Sequence, residues 1–299
     1  MTYFNDLDKA RVLPILRAAL KEDIGKGDIT TFATIHKFAS VRAGIITRDE
    51  GVICGLPIVD MILNIMDYSV RVKPTINEGD IAHEDKEIIF IEGPARPILM
   101  AERTILNFLG RLSGVATKTR KFTEKVKKYN VKIMDTRKTT PLLRYLEKYA
   151  VRVGGGSNHR IGLWDQVLIK DNHIKTIRCM RSPTCDKTPT LKDIVCIARE
   201  KTQKNIKIEI EVENLKEFQE AMQARPDIIM LDNMSVEDAK KAVEFRGEMK
   251  EDKAVKLEVS GGVTLDNVES YAASGVDMIS IGSLTADVKS LDMSLEVMG

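Results

Sequence analysis

The sequence has little of what marks a membrane protein or a nucleic-acid-binding protein. Its apolar runs, such as residues 228–231, are far shorter than the roughly 20 residues that span a bilayer, so we expect no transmembrane helix. The 46 Lys and Arg residues against 44 Asp and Glu leave a formal net charge of +2. Binding nucleic acid by bulk charge requires an excess of basic residues on one face. We therefore expect a small-molecule partner, with no nucleic acid and no membrane.

Cysteine is also scarce, and its spacing is informative. The four cysteines, at positions 54, 179, 185 and 196, form no CxxC pair. Free thiols are favoured over disulfides or zinc ligands, because the chain is too large to need disulfides for folding and lacks ligand spacing. The first residues lack the basic and then apolar stretches of a secretory signal. We therefore expect a cytoplasmic protein.

The composition is that of a globular protein, with 43% apolar and 30% charged residues among 299. That length suits one large domain or two moderate ones. In the first third, a helical pattern is expected to end near Gly25, and alternating runs separated by turns predict a small sheet. A further helix is predicted from Ala101, with Arg103 away from its apolar stripe.

From about residue 131 the pattern changes to short apolar runs, most of them separated by stretches long enough for a helix. Alternation of strand and helix is typical of parallel β/α units, and seven runs are one short of the eight strands of a TIM barrel. We therefore predict an α/β fold that includes an open, TIM-like barrel. The runs are residues 131–134, 150–153, 167–169, 206–210, 228–231, 256–259 and 278–281.

Charged residues follow these runs, at the end of the barrel where barrel enzymes keep their active sites. The planar fork of Arg suits carboxylate or phosphate, and Lys supplies a compact charge, so a cluster of cations predicts a substrate with several negative charges. Each cation taken alone could equally be a solvated residue at the rim. The cluster consists of Arg137, Lys138, Arg160 and Lys170, with His159 beside them and Glu211 and Asp232 opposite.

Two glycine turns end the last two runs, Ser260-Gly261-Gly262 and Ser280 with Gly282. Barrels commonly bind a phosphate at this position, through backbone N–H groups that glycine allows to approach the anion closely. The alternative is an ordinary tight turn between strand and helix. We favour the phosphate site because both turns are correctly placed.

Glu211 and Asp232 end adjacent runs and predict a site for Mg²⁺, which takes one or two carboxylates together with water and phosphate oxygens. These carboxylates could also simply pair with Lys138 or Lys170. Both interpretations can hold, since the cations need counter-charges when the site is empty.

The triple glycine at 154–156 is not a dinucleotide-binding fingerprint, because no GxGxxG sequence opens a long helix here. We expect it to bend the backbone so that His159 and Arg160 turn inward. His173 could be a ligand or a base, or it could be a packed structural residue, and the sequence favours neither role.

Four motifs are specific enough to name a family. They are Asp-Thr-Arg-Lys-Thr-Thr-Pro at 135–141, Glu-Lys-Tyr-Ala-Val at 147–151, Gly-Gly-Gly-Ser-Asn-His-Arg at 154–160 and Leu-Ile-Lys-Asp-Asn-His-Ile at 168–174. They closely resemble the motifs of quinolinate phosphoribosyltransferases, and the likeness runs from about residue 16 to 282. Two departures are Leu142, where many members have glycine, and the stretch 179–187, which is longer than usual. Neither removes a charged residue of the predicted site.

The resemblance implies an N-terminal α/β sandwich domain over residues 1–115, completed by the tail 286–299. It also implies a C-terminal β/α barrel of about seven strands over residues 116–285. Members of the family form homodimers with a shared active site, so Arg103 is expected to reach into the partner's barrel. A higher oligomer remains open.

The implied reaction joins quinolinate to 5-phosphoribosyl-1-pyrophosphate in the presence of Mg²⁺, and releases pyrophosphate and CO₂ to leave nicotinate mononucleotide for NAD biosynthesis. The residues implied to hold quinolinate are Arg103, Arg137, His159, Arg160 and Lys170. Those implied to hold the donor are Lys138, Ser260, Gly261, Gly262, Ser280 and Gly282. Glu211 and Asp232 would hold Mg²⁺, and they are expected to act in catalysis together with Lys138 and Lys170.

Two other functions are weighed against this one. The nearer is a related phosphoribosyltransferase, either a molybdenum-operon homologue or one that uses nicotinate. A monocarboxylate would not need so many cations, so the intact cluster favours quinolinate. The remoter alternative is a non-catalytic anion-binding module built around the lipoyl-like stretch 72–93, which has no lysine at its turn to carry a lipoyl or biotinyl group.

Overall fold

The computed structural model describes residues 7–179, 188–249 and 254–298. The chain divides into two compact units. The first comprises residues 1–120, 138–156 and 283–299, and the second comprises residues 121–137 and 157–282. No helix within the described ranges is long and apolar enough to cross a membrane.

The two units are built from helices and strands that alternate along most of the chain. The helices are α1 (Lys9–Ile24), α2 (Ile29–Thr34), α3 (Leu56–Met66), α4 (Ala95–Lys125), α5 (Arg144–Val153), α6 (Asp171–Cys179), α7 (Leu191–Lys201), α8 (Leu215–Met222), α9 (Val236–Glu248), α10 (Val268–Ala273) and α11 (Ser283–Ala286). The strands are β1 (Ser40–Thr47), β2 (Gly51–Val52), β3 (Arg71–Pro74), β4 (Ile81–Ala82), β5 (Glu87–Pro94), β6 (Lys132–Met134), β7 (Val167–Ile169), β8 (Ile208–Val212), β9 (Ile228–Asp232), β10 (Lys256–Ser260), β11 (Met278–Ser280) and β12 (Met293–Met298).

The first unit contains a four-stranded sheet in the order β12-β1-β5-β3. Strand β12, near the C-terminus, pairs antiparallel with β1, which in turn pairs antiparallel with β5. Helix α1 ends at Gly25, as its sequence predicts, because that glycine takes φ +56° and its N–H bonds the carbonyl of Lys21. The boundary expected at residue 115 falls within helix α4, which begins earlier than predicted, at Ala95.

The second unit is built on a six-stranded sheet in the order β6-β11-β10-β9-β8-β7, in which every pairing is parallel. Helices alternate with its strands, so this unit is the open, TIM-like barrel of an α/β protein, as predicted. The strands are short and their middle residues are buried, which leaves their carboxyl ends as the place where polar side chains gather.

One of the seven predicted strands is wrong. Residues 150–153 form the last turn of helix α5, whose buried side chains include Leu146, Tyr149, Ala150 and Val153. That spacing is the apolar stripe of a helix, and a run of four residues, three of them apolar, cannot by itself distinguish a strand from a buried helix. On this side of β6, Ser157 is instead the pairing partner, and it forms a single parallel bridge with Met134.

The two departures from the family pattern have different outcomes. Leu142 takes φ +67°, a left-handed conformation that costs a residue with a Cβ about 1–2 kcal/mol and that glycine adopts freely. A glycine at this position would therefore relieve strain. Of the stretch 179–187, only Cys179 is described, as the last residue of helix α6, and residues 180–187 lie outside the described residues.

Candidate active site

The ends of strands β8 to β11 bring four predicted site residues to one face of the sheet. Glu211 pairs with Met230, two residues before Asp232. Asp232 pairs with Ser260, and Ser260 pairs with Ser280. Residues in register on neighbouring strands share a face, and faces alternate along each strand. The two predicted metal ligands and the two serines of the glycine turns therefore face the same way.

Lys170 and Glu211 form an ion pair at this edge. The Nζ of Lys170 donates to Oε2 of Glu211 at 2.8 Å, with the carboxylate side chain 8% exposed and the lysine side chain 44% exposed. The pairing weighed from the sequence as the alternative to a metal site is therefore present here. His173, left open above, accepts the backbone N–H of Lys170 at its Nδ1 atom and is otherwise exposed. That contact is a local structural role at the start of helix α6.

The carboxylates of Glu211 and Asp232 fit the ligand requirements of Mg²⁺. Glu211 is buried and Asp232 is half-buried, and each accepts a hydrogen bond at one of its two oxygens, Asp232 from the Nδ2 of Asn233 at 2.9 Å. Carboxylate oxygens at adjacent strand ends, completed by water and phosphate oxygens, are a donor set that Mg²⁺ takes in proteins. These two residues could hold such an ion.

Arg160 is a buried cation, with 7% of its surface exposed, and Arg137 lies close enough to repel it. Burial and then the charge of Arg137 lower the pKa of Arg160, and the charges of Glu209 and Asp165 only partly oppose them. Its Nη1 donates to the carbonyl of Gln166 at 3.0 Å. Two guanidinium groups this close together are suited to bind an anion.

His159 is held on several sides. Its backbone N–H donates to Oδ1 of the buried Asp135 at 2.9 Å, and Asn158 Nδ2 donates to the other oxygen of that carboxylate at 2.5 Å. Its Nδ1 accepts the backbone N–H of Arg160 at 2.8 Å. Its Nε2 lies 3.0 Å from Oε2 of Glu209 and 3.5 Å from Oε1 of Glu258.

Sequence reasoning did not identify Glu209 and Glu258, which are both fully buried in the barrel. Burial and then the charge of Glu209 raise the pKa of Glu258 to about 8. Together with His159, they offer three ligand atoms within 4.8 Å of one another, a spacing that a metal ion could also span. The available signal was an acidic residue inside an apolar run, as in Ile208-Glu209-Ile210.

The first glycine turn has the tight backbone that glycine permits. Gly261 and Gly262 take φ +89° and +62°, and a Cβ at Gly261 would lie 2.2 Å from Oδ1 of Asn233. In the second turn, the hydroxyl of Ser280 is buried and donates to Oε1 of Glu258. Any contact of the Ser280 hydroxyl with phosphate would therefore compete with an internal hydrogen bond. Gly282, in the same turn, is half-buried.

Arg103 and Lys138 belong to the first unit, and both are exposed. Arg103 lies on helix α4. The backbone carbonyl of Lys138 accepts the hydroxyl of Thr285 at 2.6 Å, which fixes the main chain at this lysine.

Comparison with known proteins identifies the family. The family model "Quinolinate phosphoribosyl transferase, C-terminal domain" matches residues 115–296, and the model of the N-terminal domain matches residues 28–113. A protein of Methanocaldococcus jannaschii, named as a probable carboxylating nicotinate-nucleotide pyrophosphorylase, is 41% identical over 97% of this chain and 98% of its own. A carboxylating nicotinate-nucleotide pyrophosphorylase of Mycobacterium leprae is 37% identical, over 98% of each chain.

A solved structure agrees with these sequence matches. The nicotinate-nucleotide pyrophosphorylase of Francisella tularensis superimposes with a TM-score of 0.87 at 38% identity, over 99% of each chain. Likeness at this identity and coverage extends across both parts of the chain. The chain therefore belongs to the quinolinate phosphoribosyltransferase family of glycosyltransferases, which act in NAD biosynthesis.

Proposed function

We propose that this chain transfers the phosphoribosyl group of 5-phosphoribosyl-1-pyrophosphate to quinolinate, with loss of CO₂, to give nicotinate mononucleotide. The observation that carries the proposal is the buried Arg160 beside Arg137. Two guanidinium groups that repel each other gain from sharing an anion, and a dicarboxylate supplies two charges. Quinolinate is such a dicarboxylate.

On the quinolinate side, we assign the two carboxylates to Arg137, Arg160 and Lys170, with His159 close by. Arg presents parallel N–H groups to a carboxylate, and the lysine adds a point charge. Arg103 keeps the role that the family resemblance implies, contributed from a partner subunit in a homodimer or a higher oligomer. The exposed position of Arg103 on helix α4 is compatible with that role.

On the donor side, Lys138 and the turns with Gly261, Gly262 and Gly282 are assigned to the phosphate groups. Backbone N–H groups at glycine turns bind phosphate without a side chain in the way. Glu211 and Asp232 are assigned to Mg²⁺, which when bound to the donor neutralises charge that builds up on the departing pyrophosphate.

The first chemical step forms a bond from the pyridine nitrogen to C1 of the ribose, while the bond from C1 to pyrophosphate breaks. The sugar gains positive charge in the transition state, which a carboxylate such as Glu211 or Asp232 stabilises, while Lys138 stabilises the departing pyrophosphate. A preorganised charge arrangement of this kind lowers the barrier without reorganising at the moment of reaction.

The second step removes CO₂. The nitrogen is now quaternary, so the ring accepts the electron pair of the breaking carbon–carbon bond and becomes an ylide next to the positive nitrogen. Charge is neutralised as CO₂ leaves, which a site that excludes water favours. We assign protonation of the ylide carbon to Lys170 or a water molecule.

A direct assay tests the proposed function. The purified protein is incubated with quinolinate, the phosphoribosyl donor and Mg²⁺, and nicotinate mononucleotide and CO₂ are quantified. A parallel incubation replaces quinolinate by nicotinate. We expect CO₂ and nicotinate mononucleotide in equal amounts in the incubation with quinolinate, and no product in the incubation with nicotinate. Product from nicotinate without CO₂ would assign the chain to the nicotinate-using alternative, and no product from either would contradict both.

Two further assignments go with this function. We propose a homodimer, which size measurement in solution checks directly. We also propose that the enzyme acts in the cytoplasm, and fractionation of cells that produce it tests the location.

A further inference from the structure

Two buried carboxylates lie in the barrel and have no part in the chemistry above. Glu209 on β8 and Glu258 on β10 flank β9, and both are 0% exposed. Their carboxylates face His159 Nε2 at 3.0 and 3.5 Å. Buried acids are costly unless they are hydrogen-bonded or paired, so the fold retains this pair at an energetic expense.

Each carboxylate also has one neutral donor of its own. The Nε2 of Gln166 donates to Oε2 of Glu209 at 2.5 Å, and the hydroxyl of Ser280 donates to Oε1 of Glu258. The imidazole of His159 lies between them, with its Nδ1 accepting the backbone N–H of Arg160. Since Nδ1 is the acceptor, Nε2 carries the proton, and it lies within ion-pair distance of both carboxylates.

A second branch connects Glu209 to the guanidinium of Arg160. Gln166 donates to Glu209 through its side chain, and its backbone carbonyl accepts from Nη1 of Arg160 at 3.0 Å. One residue therefore joins the buried carboxylate to the buried cation. The negative charge of Glu209 also favours the charged form of Arg160 against the repulsion of Arg137.

We propose that Glu209 and Glu258 are positioning residues for the substrate anion: they orient His159 through direct contact, Glu209 orients Arg160 through Gln166, and the charge of Glu209 balances the buried guanidinium of Arg160. The inference rests on the proposed function, because it assigns the anion at Arg160 to quinolinate. The three groups could also bind a metal ion, but one oxygen of each carboxylate already accepts from Gln166 or Ser280, which favours the hydrogen-bonded network.

The test uses the full-length chain with Glu209→Gln, which keeps the side-chain shape and removes the charge, and Glu258→Gln, which keeps the shape and replaces the carboxyl group by an amide. Glu213→Gln, at an exposed position beyond the same strand, is the matched control. Quinolinate affinity is measured by calorimetry, and the KM for each substrate by assay. We expect quinolinate affinity to fall by about tenfold or more in Glu209→Gln and by a smaller factor in Glu258→Gln, while the KM for the phosphoribosyl donor stays within about twofold in both.

Three outcomes would overturn the proposal. Quinolinate affinity within about twofold of the parent in both variants would remove the positioning role. An equal loss for both substrates would indicate a merely structural role. A stoichiometric metal found in the purified parent by elemental analysis, and lost in both variants, would make the cluster a metal site.

A further variant tests the proposal if the glutamine variants fail to fold. Quinolinate binding by the unsubstituted protein distinguishes failure of this inference from failure of the proposed function. If the glutamine variants do not fold, Gln166→Met at a half-buried position is expected to weaken quinolinate binding alone, and unchanged binding would contradict the proposal. If the parent itself does not bind quinolinate, the proposed function fails. If the parent binds and all variants bind equally, only the positioning role fails.

Discussion

Lys170 Nζ lies 2.8 Å from Glu211 Oε2, so a cation assigned to quinolinate and a carboxylate assigned to Mg²⁺ neutralise each other at one strand end. The pair is partly buried, which makes each partner sensitive to loss of the other. Substitution of Glu211 therefore acts on both the metal and the lysine, and the two effects have to be separated by the choice of variant.

Replacing both Glu211 and Asp232 by alanine is expected to remove Mg²⁺-dependent turnover. The loss should be about a hundredfold or more, the effect of removing a group that stabilises charge in a transition state. Turnover is measured across a Mg²⁺ titration. Asp232→Ala alone leaves the pair of Lys170 and Glu211 in place and therefore reports the loss of a metal ligand separately from the loss of the ion pair. Undiminished turnover in the double variant would exclude these residues as metal ligands.

Arg160→Ala is expected to weaken quinolinate binding by about thirtyfold or more, because losing one partner of a buried charge pair costs about 2–5 kcal/mol. Binding of the phosphoribosyl donor should stay measurable. Both affinities can be obtained by calorimetry on the same preparation. A change in quinolinate affinity below about threefold, worth less than 1 kcal/mol, would show that Arg160 does not hold the dicarboxylate.

Arg111→Met is expected to destabilise the first unit. Arg111 donates from Nε and Nη2 to Oε1 of Glu147 at 3.1 and 2.7 Å, and Glu147 is fully buried. Removing the arginine leaves a buried carboxylate uncompensated, at a cost of about 3–5 kcal/mol. Thermal unfolding followed by circular dichroism measures the loss.

The double variant Arg111→Met with Glu147→Gln is the control for that measurement. Glutamine is neutral and still accepts the backbone N–H of Thr140, which Glu147 Oε2 accepts at 3.0 Å. Much of the lost stability should return. If the double variant is no more stable than Arg111→Met, the penalty does not come from the uncompensated charge.

The stability of the barrel unit is expected to fall as pH rises from about 5 to about 8, and Glu258→Gln should reduce this slope. Burial, followed by the charge of Glu209, raises the pKa of Glu258 from 4.5 to about 8. The folded state therefore binds the proton more tightly than the unfolded state. The stability from this proton is complete below the ordinary pKa of 4.5 and is lost as pH rises through about 8.

Melting temperatures of the parent and Glu258→Gln, measured in matched buffers across that range, check the prediction. Glu213→Gln, an exposed acid, should leave the slope of the parent unchanged. Equal slopes for the parent and Glu258→Gln would mean that Glu258 does not hold a proton at neutral pH in the folded protein.

The fold class, and the strand ends at which most candidate site residues lie, could be predicted from sequence because they depend on local pattern. Six of the seven predicted strands are present, and the charged residues that follow β7, β8 and β9 lie at the carboxyl ends of the sheet. Strand periodicity and the position of a residue after an apolar run are read from neighbours in the chain. The strand predicted at 150–153 was wrong because this short run, with three apolar residues and Arg152, fits the last turn of a helix equally well.

The sequence by itself determined the kind of chemistry: a set of cations, two carboxylates and two glycine turns at successive strand ends of a β/α fold. Only the tertiary structure decided which of these groups meet. His159, Glu209 and Glu258 are far apart in the chain. Parallel strand pairing, together with the alternation of side chains along each strand, brings the two carboxylates within 3.5 Å of the imidazole of His159. The physical reason is that contacts across a sheet depend on register between distant strands, whereas local pattern specifies only each strand's own faces.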